Sequence, residues 1–128
     1  MIKKSILIIF AIFLTGIVCA ETLKYEPETV RLVGTLISSK GMTPDENAVL
    51  FPAIKLNIPV RVEADPKEEL NQTEENVSII QLILNEKQME DYKNHKGQLV
   101  TIIGKLLHAV TGHHYTKVLI DVEKIERK

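Results

Sequence analysis

The stretch LVTIIGKLLHAVTGHHYTKVLIDVEKI, Leu99 to Ile125, decides how the chain folds. It places two apolar runs on either side of HAVTGHHYT, His108 to Thr116, which holds three of the four histidines of the chain. Runs rich in Val, Ile and Leu that flank a glycine-bearing turn read as a β-hairpin. A three-residue turn, Val110-Thr111-Gly112, pairs Leu106 with Thr116, Gly104 with Val118, Ile102 with Ile120 and Val100 with Val122. Apolar positions then meet on one face. A two-residue turn at Thr111-Gly112 would set Ile102 against Asp121 and mix the faces, so the longer turn is expected. In that register His108 and His114 are cross-strand neighbours on the inward face, with Cβ atoms about 4.5 to 5.5 Å apart. His113 and Tyr115 share the outward face.

Working back towards the N-terminus, Gly97 closes a short helix that Asn85 opens, with Gln88 three residues on completing a capping box. Met89 and Tyr92 are expected to face inward. Val77 to Leu84 is nearly all apolar and suits a strand buried on both faces; a helix is the alternative for so short a run. Ala64 to Glu75 is acidic and contains Pro66, which predicts a solvated connection. Ile54 to Glu63 alternates cleanly, with Ile54, Leu56, Ile58, Val60 and Val62 on one side. Pro59 cannot donate to a ladder and must sit at a bulge or an edge. Val30 to Leu36 is a further strand bent at Gly34, and Ser38 to Asn47 reads as a long loop.

The order is strand, strand, strand, helix, strand, strand, which predicts a mainly β fold. It resembles the OB-fold, a five-stranded Greek-key barrel with a helix between its third and fourth strands. That resemblance implies a ligand site between the loop of strands one and two and the loop of strands four and five. Asp45, Glu46 and Asn47 would then approach His108 and His114 at the barrel mouth.

Residues 1–20 have the three parts of a secretory signal peptide: Lys3 and Lys4, the apolar run Ile6 to Leu14, and Val18-Cys19-Ala20 before a cut at Glu21. Val18 directly before Cys19 argues against a lipoprotein acylation site. Cleavage would leave one domain, 21–128, with no membrane span and no cysteine, in the periplasm or outside the cell. Without Lys3 and Lys4 the 16 basic residues fall to 14 against 17 acidic ones, a net charge near −3. That balance disfavours nucleic acid, which is bound by neutralising phosphates, and the absence of tryptophan removes one base-stacking group.

The segment Gly97 to Val122 resembles a family of small exported bacterial proteins whose C-terminal domain of unknown function carries an H-A-x-T-G-H-H-x-T core. His108, Ala109, Thr111, Gly112, His113, His114 and Thr116 fit that core, and Tyr115 stands where many members have histidine. The resemblance implies a bacterial, periplasmic origin and no particular activity.

Two imidazoles on one face can share zinc, nickel or copper, with Asp45 or Glu46 completing a set, so His108 and His114 are candidate metal ligands. Haem attachment near His113, His114 and Tyr115 is a further alternative. Catalysis has less to work with: no G-x-S-x-G or H-E-x-x-H pattern occurs. The plainest role for the histidines is to fix the turn, and His95 only complements the helix dipole. The expectation is a non-enzymatic binding protein with a protein partner in the cell envelope, such as a toxin or hydrolase that it neutralises. Its candidate ligand-binding residues are Asp45, Glu46, His108, Thr111, His113, His114 and Tyr115. The alternative is a metal-binding protein using the His108/His114 pair.

Overall fold

The computed structural model describes residues 21–127, so the expected signal peptide lies outside the described residues. The elements are β1 (Thr22–Lys24), β2 (Thr29–Met42), β3 (Ala48–Glu63), β4 (Glu74–Ile83), α1 (Glu86–His95), β5 (Leu99–His108) and β6 (Val118–Arg127). Among the described residues no helix is long and apolar enough to cross a membrane.

The six strands form one sheet in the order β1-β3-β2-β5-β6-β4, and a further pairing of β3 with β4 returns the order on itself. β1–β3 and β4–β6 are parallel; the other pairs are antiparallel. The mainly β class is as expected, but five strands become six. The added strand, β1, runs beside Arg61 to Glu63 and buries Leu23. Three residues are too few to show a period, so this strand exists only through its neighbour.

β2 changes partner along its length. Its first half pairs with β5 and its second half with β3, and Gly34 pairs with both Val100 and Leu56. The bend expected at Gly34 is the place of that exchange. The loop expected from Ser38 to Asn47 is a correction: β2 and β3 pair out to Met42 and Ala48, which leaves Thr43 to Asn47 as the connection. The polar composition of Ser38 to Met42 misled because half the burial of a ribbon comes from its partner, here Phe51 and Ala53 on β3.

Pro59 lies in the stretch of β3 between Lys55 and Val60, where the register with β4 shifts, as a residue without an N–H requires. Val77 to Ile83 falls on β4 and not on a helix, and Leu84 follows the strand. It is buried on one side, through Ile80 and Leu82, while Ile83 stays 36% exposed, so the expectation of burial on both faces is corrected. Helix α1 starts as its sequence dictates. Asn85 accepts from the Gln88 backbone N–H and its own backbone N–H donates to the Gln88 side chain, both at 2.9 Å. Tyr92 is buried, its hydroxyl donates to the Ile37 carbonyl at 2.8 Å, and Met89 packs on the core.

The core lies inside the ring of strands and includes Leu32, Leu36, Ile54, Ile80, Val100, Ile102, Leu106 and Ile120. Fully burying each such side chain contributes about 1.5–3 kcal/mol. The expected hairpin register is corrected at this level. Gly104 pairs with Val122, Leu106 with Ile120 and His108 with Val118, four residues away from the expected alignment, and a bulge follows at Ile103/Gly104. A four-residue shift is even, so Leu106 and Ile120 keep the face assigned to them. The turn is not three residues but the whole segment Ala109 to Lys117, closed by the Ala109 N–H donating to the Lys117 carbonyl at 2.8 Å.

Candidate functional site

Lengthening the turn separates the histidines. His108 ends β5 on the core side, opposite Val118, and is not a neighbour of His114; this corrects the expected cross-strand pair. Its Nε2 lies 2.8 Å from Glu74 Oε2 and its Nδ1 lies 3.2 Å from the Ala109 carbonyl oxygen. The side chains of His108 and Glu74 are only 12% and 15% exposed, so this contact is poorly screened by solvent. Tyr25 meets the imidazole edge-on, with ring centroids 6.2 Å apart, and donates its hydroxyl to the Gln72 carbonyl at 2.5 Å. Burial, and then the charge of Glu74, push the Tyr25 hydroxyl up to about 12. Lys117 reaches the other Glu74 oxygen at 3.9 Å. These contacts tie the end of β5 to the start of β4 and the end of β1.

The segment Ala109 to Lys117 folds back across the side of the sheet that faces away from the core. Gln81 of β4 anchors it. The Tyr115 backbone N–H donates to Gln81 Oε1 at 2.6 Å, Gln81 Nε2 donates to the His113 carbonyl at 3.3 Å, and the Gln81 backbone N–H donates to Thr116 Oγ1 at 3.0 Å. Ala53, Gln81 and Leu119 are ladder neighbours across β3, β4 and β6. Ala53 and Leu119 are fully buried without belonging to the core cluster. They lie on the side that the segment crosses.

Within the segment the side chains fix its shape. Thr111 accepts twice, from the His114 N–H at its carbonyl and from the His113 N–H at its hydroxyl. The Val110 N–H donates to His114 Nδ1 at 3.1 Å. Tyr115 stacks on Phe51 with centroids 5.1 Å apart at 28°, and its hydroxyl lies 3.4 Å from His113 Nδ1.

The two loops that were expected to meet do meet, but through other residues than the inward histidine pair. A Cβ on Gly112 would collide with the Pro44 ring, and one on Gly41 would lie 2.7 Å from the Tyr115 ring. Asp45 falls beside His113. Its carboxyl is held below the usual range, first by the Thr43 hydroxyl, then by its own backbone N–H, and further by Asn47 and the charge of His113. Glu46 takes a left-handed conformation at the loop tip, φ 65°, with its N–H on the Thr43 carbonyl. Among the described residues its side chain forms no hydrogen bond or ion pair with a histidine. A surface cavity of about 300 Å³ adjoins, lined by residues that include Glu74, Ser78, Thr116 and Lys117.

The expected site therefore divides into a part-buried contact, His108 with Glu74 and Tyr25, and an outer surface that carries Asp45, Thr111, His113 and Tyr115. Sequence reasoning missed Tyr25, Phe51, Glu74 and Gln81. Gln81 had a signal: it is the lone amide side chain inside the apolar run Val77 to Leu84. Glu74 had none, being one acidic residue among several in a stretch that reads as solvated.

A family model described as "Domain of unknown function (DUF4431)" matches residues 79–126. The match runs from the second half of β4 through α1, β5 and the histidine segment to nearly the end of β6. Tyr25, Asp45 and Glu74 lie outside it. A C-terminal domain of unknown function was expected, and at that level the expectation is met. No curated protein matches the chain at a significant level.

Proposed function

We propose that this protein is a non-enzymatic, OB-like barrel of the cell envelope that binds a protein partner through the combined surface of Thr43–Asn47 and Ala109–Lys117. The closed order of strand pairing, with the helix between the third and fourth strands of the ring, supports the OB-like reading. The observation that carries the binding reading is the packing of one loop on the other. Gly112 seats on Pro44, and Tyr115 seats on Gly41 and Phe51. That packing gives Asp45, Val110, Thr111 and His113 one preformed and exposed surface, and preformed loops lose little entropy on binding. Val110 is 56% exposed on the same segment, an apolar side chain among polar ones. His108 and Glu74 are mostly shielded and bonded to each other, which suits holding the loop better than acting on a substrate. A toxin or hydrolase of the envelope is the kind of partner that a small exported inhibitor would meet.

Site-specific photocrosslinking tests this. A photoreactive residue at Val110 or Asp45, exposed to envelope extract, should capture the same protein, and the double variant T111E/H113E should lose it. Capture of an identical set from the exposed α1 position Glu90, or no capture from either loop, would defeat the reading.

A further inference from the structure

The wall of the ring parts between β2 and β3. The two strands pair only as far as Gly34 with Leu56. Beyond that point β2 stays on β5, while β3 runs on until β1 joins it, with the Arg61 N–H donating to the Glu21 carbonyl at 3.0 Å. On its other side β3 has no β4 partner between Lys55 and Val60. A cavity of about 370 Å³ occupies the gap. The buried side chains of Leu32, Leu56 and Val60 form its floor, and the exposed side chains of Val33 and Ile58 stand at its mouth. Small-molecule sites have about this size and this apolar lining, roughly 300–1,000 Å³.

The donors lie on the β2 wall. The Leu36 N–H and carbonyl bond to Gln98 and Gly97 on the β5 side. Alternation along β2 therefore turns the N–H groups of Val33 and Arg31 towards β3, where the ladder ends before it can pair them. Arg31 adds a guanidinium to the lining. Its ion pair with Glu126 is exposed and 3.5 Å long, so it holds the side chain weakly. Glu21 carries the carboxylate of the lining and sits at the opposite end, next to β1.

We propose that this cavity binds an anionic amphiphile. A single acyl chain of medium length lies on Leu32, Leu56 and Val60 under the cover of Val33 and Ile58. Its carboxylate pairs with the Arg31 guanidinium, and the neighbouring N–H groups of β2 are further donors. An added peptide strand fits less well. The gap is closed at one end by the Gly34–Leu56 pair and at the other by β1, a run of about 13 Å over Asn57–Val60 at strand rise. Pro59 also removes a donor from the β3 wall. The cavity shares no residue with the loop surface assigned to a protein partner and does not depend on that assignment.

Titration of the purified protein with hexanoate, octanoate and decanoate, followed by amide chemical shifts, tests the proposal. Saturable shifts should centre on Arg31–Val33 and Asn57–Val60, with α1 unmoved, and each added methylene should tighten binding about fourfold. Arg31→Gln should weaken decanoate about tenfold, as loss of a charged hydrogen bond does, and leave decanol unchanged. Ile58→Ser should weaken both; the two positions are exposed, so both variants keep the fold. Shifts that never saturate or that gather elsewhere, an affinity indifferent to chain length, or decyltrimethylammonium binding as tightly as decanoate would overturn the proposal. So would a short extended peptide, acetyl-Val-Ile-Val-amide, binding in the gap more tightly than decanoate, which would make it a strand-docking site.

Discussion

The segment Asn85–Gly97 and the segment Ala109–Lys117 flank the same strand, β5, and they are held in opposite ways. The helix is organised by its own residues. Asn85 and Gln88 cap it and Gly97 at φ 90° ends it, while Met89 and Tyr92 pack outward and Gln88 Nε2 and the Gly97 N–H donate to the Val122 and Leu36 carbonyls, both at 2.8 Å. The histidine segment is organised by residues far away in sequence: Pro44, Phe51, Glu74 and Gln81. The first kind of element carries its instructions with it and tolerates change elsewhere. The second is a consequence of the whole fold, so its shape should respond to substitutions that never touch it.

The largest expected effect comes from the ladder that feeds the histidine segment. Gly104 lies against the Asp121 backbone next to the bulge, and a Cβ there would run into the Asp121 carbonyl. Gly104→Ala should lower stability by about 3 kcal/mol, because the obstacle is backbone and cannot rotate away. Denaturant unfolding measures it. Exchange should rise in Ala109–Lys117 before it rises in α1; if both open together, the two regions are not independent.

Next in size is a pH effect at Tyr25, whose hydroxyl is raised from 10.0 to about 12 by burial and then by Glu74. A raised value means that the folded state favours the protonated phenol. Its contribution is complete below about pH 10 and is lost as pH rises through about 12. A shift of this size corresponds to about 2 kcal/mol once solvent screening is discounted. Alkaline unfolding followed by circular dichroism should show this loss, and Tyr25→Phe should remove it while lowering stability near neutral pH. An unchanged alkaline profile in Tyr25→Phe would show that Tyr25 does not set it.

A smaller change sharpens the other side of the comparison. Asn85→Ala removes one half of the capping box and should cost about 1 kcal/mol. The loss should be confined to α1, with protection in the histidine segment unchanged. Loss of protection at Gln81 or Tyr115 would mean that α1 is less self-contained than its cap suggests.

These contrasts explain what could be read from the chain. The helix, its cap, the break at Pro59 and the sided pattern of β3 follow from neighbours within a few residues, which a linear reading sees, but Ile58, expected on the inward side beside Pro59, is 53% exposed. The even part of the β5–β6 alignment was legible too, because alternation fixes which face Leu106 and Ile120 occupy. The alignment itself was not. Registers differing by two or four residues preserve the faces, and Glu74 and Gln81, which hold the longer turn, precede it by about thirty residues. For the same reason His113 with Tyr115 was placed outward from the chain alone, while the partner of His108 was not. β1 could not be seen at all, since parallel pairing over Thr22–Lys24 leaves no pattern in the strand itself.

Tyr115 offers the smallest effect and the most selective one. Its ring stacks on Phe51 and closes on Gly41, while its backbone N–H is held by Gln81. Tyr115→Leu keeps the backbone bond and much of the apolar cover over β3 but removes the aromatic stack. An aromatic pair contributes about 0.5–1.5 kcal/mol beyond its buried area. Global stability should therefore fall by about 1 kcal/mol or less, because the segment lies outside the core cluster. Local protection should respond differently along the segment. It should fall at Val110 and His113, which lose the packing that seats Gly112 on Pro44, and persist at Tyr115 itself through Gln81. If protection at position 115 collapses together with the rest, the amide of Gln81 is a passenger and the stack with Phe51 alone holds the histidine segment to the sheet.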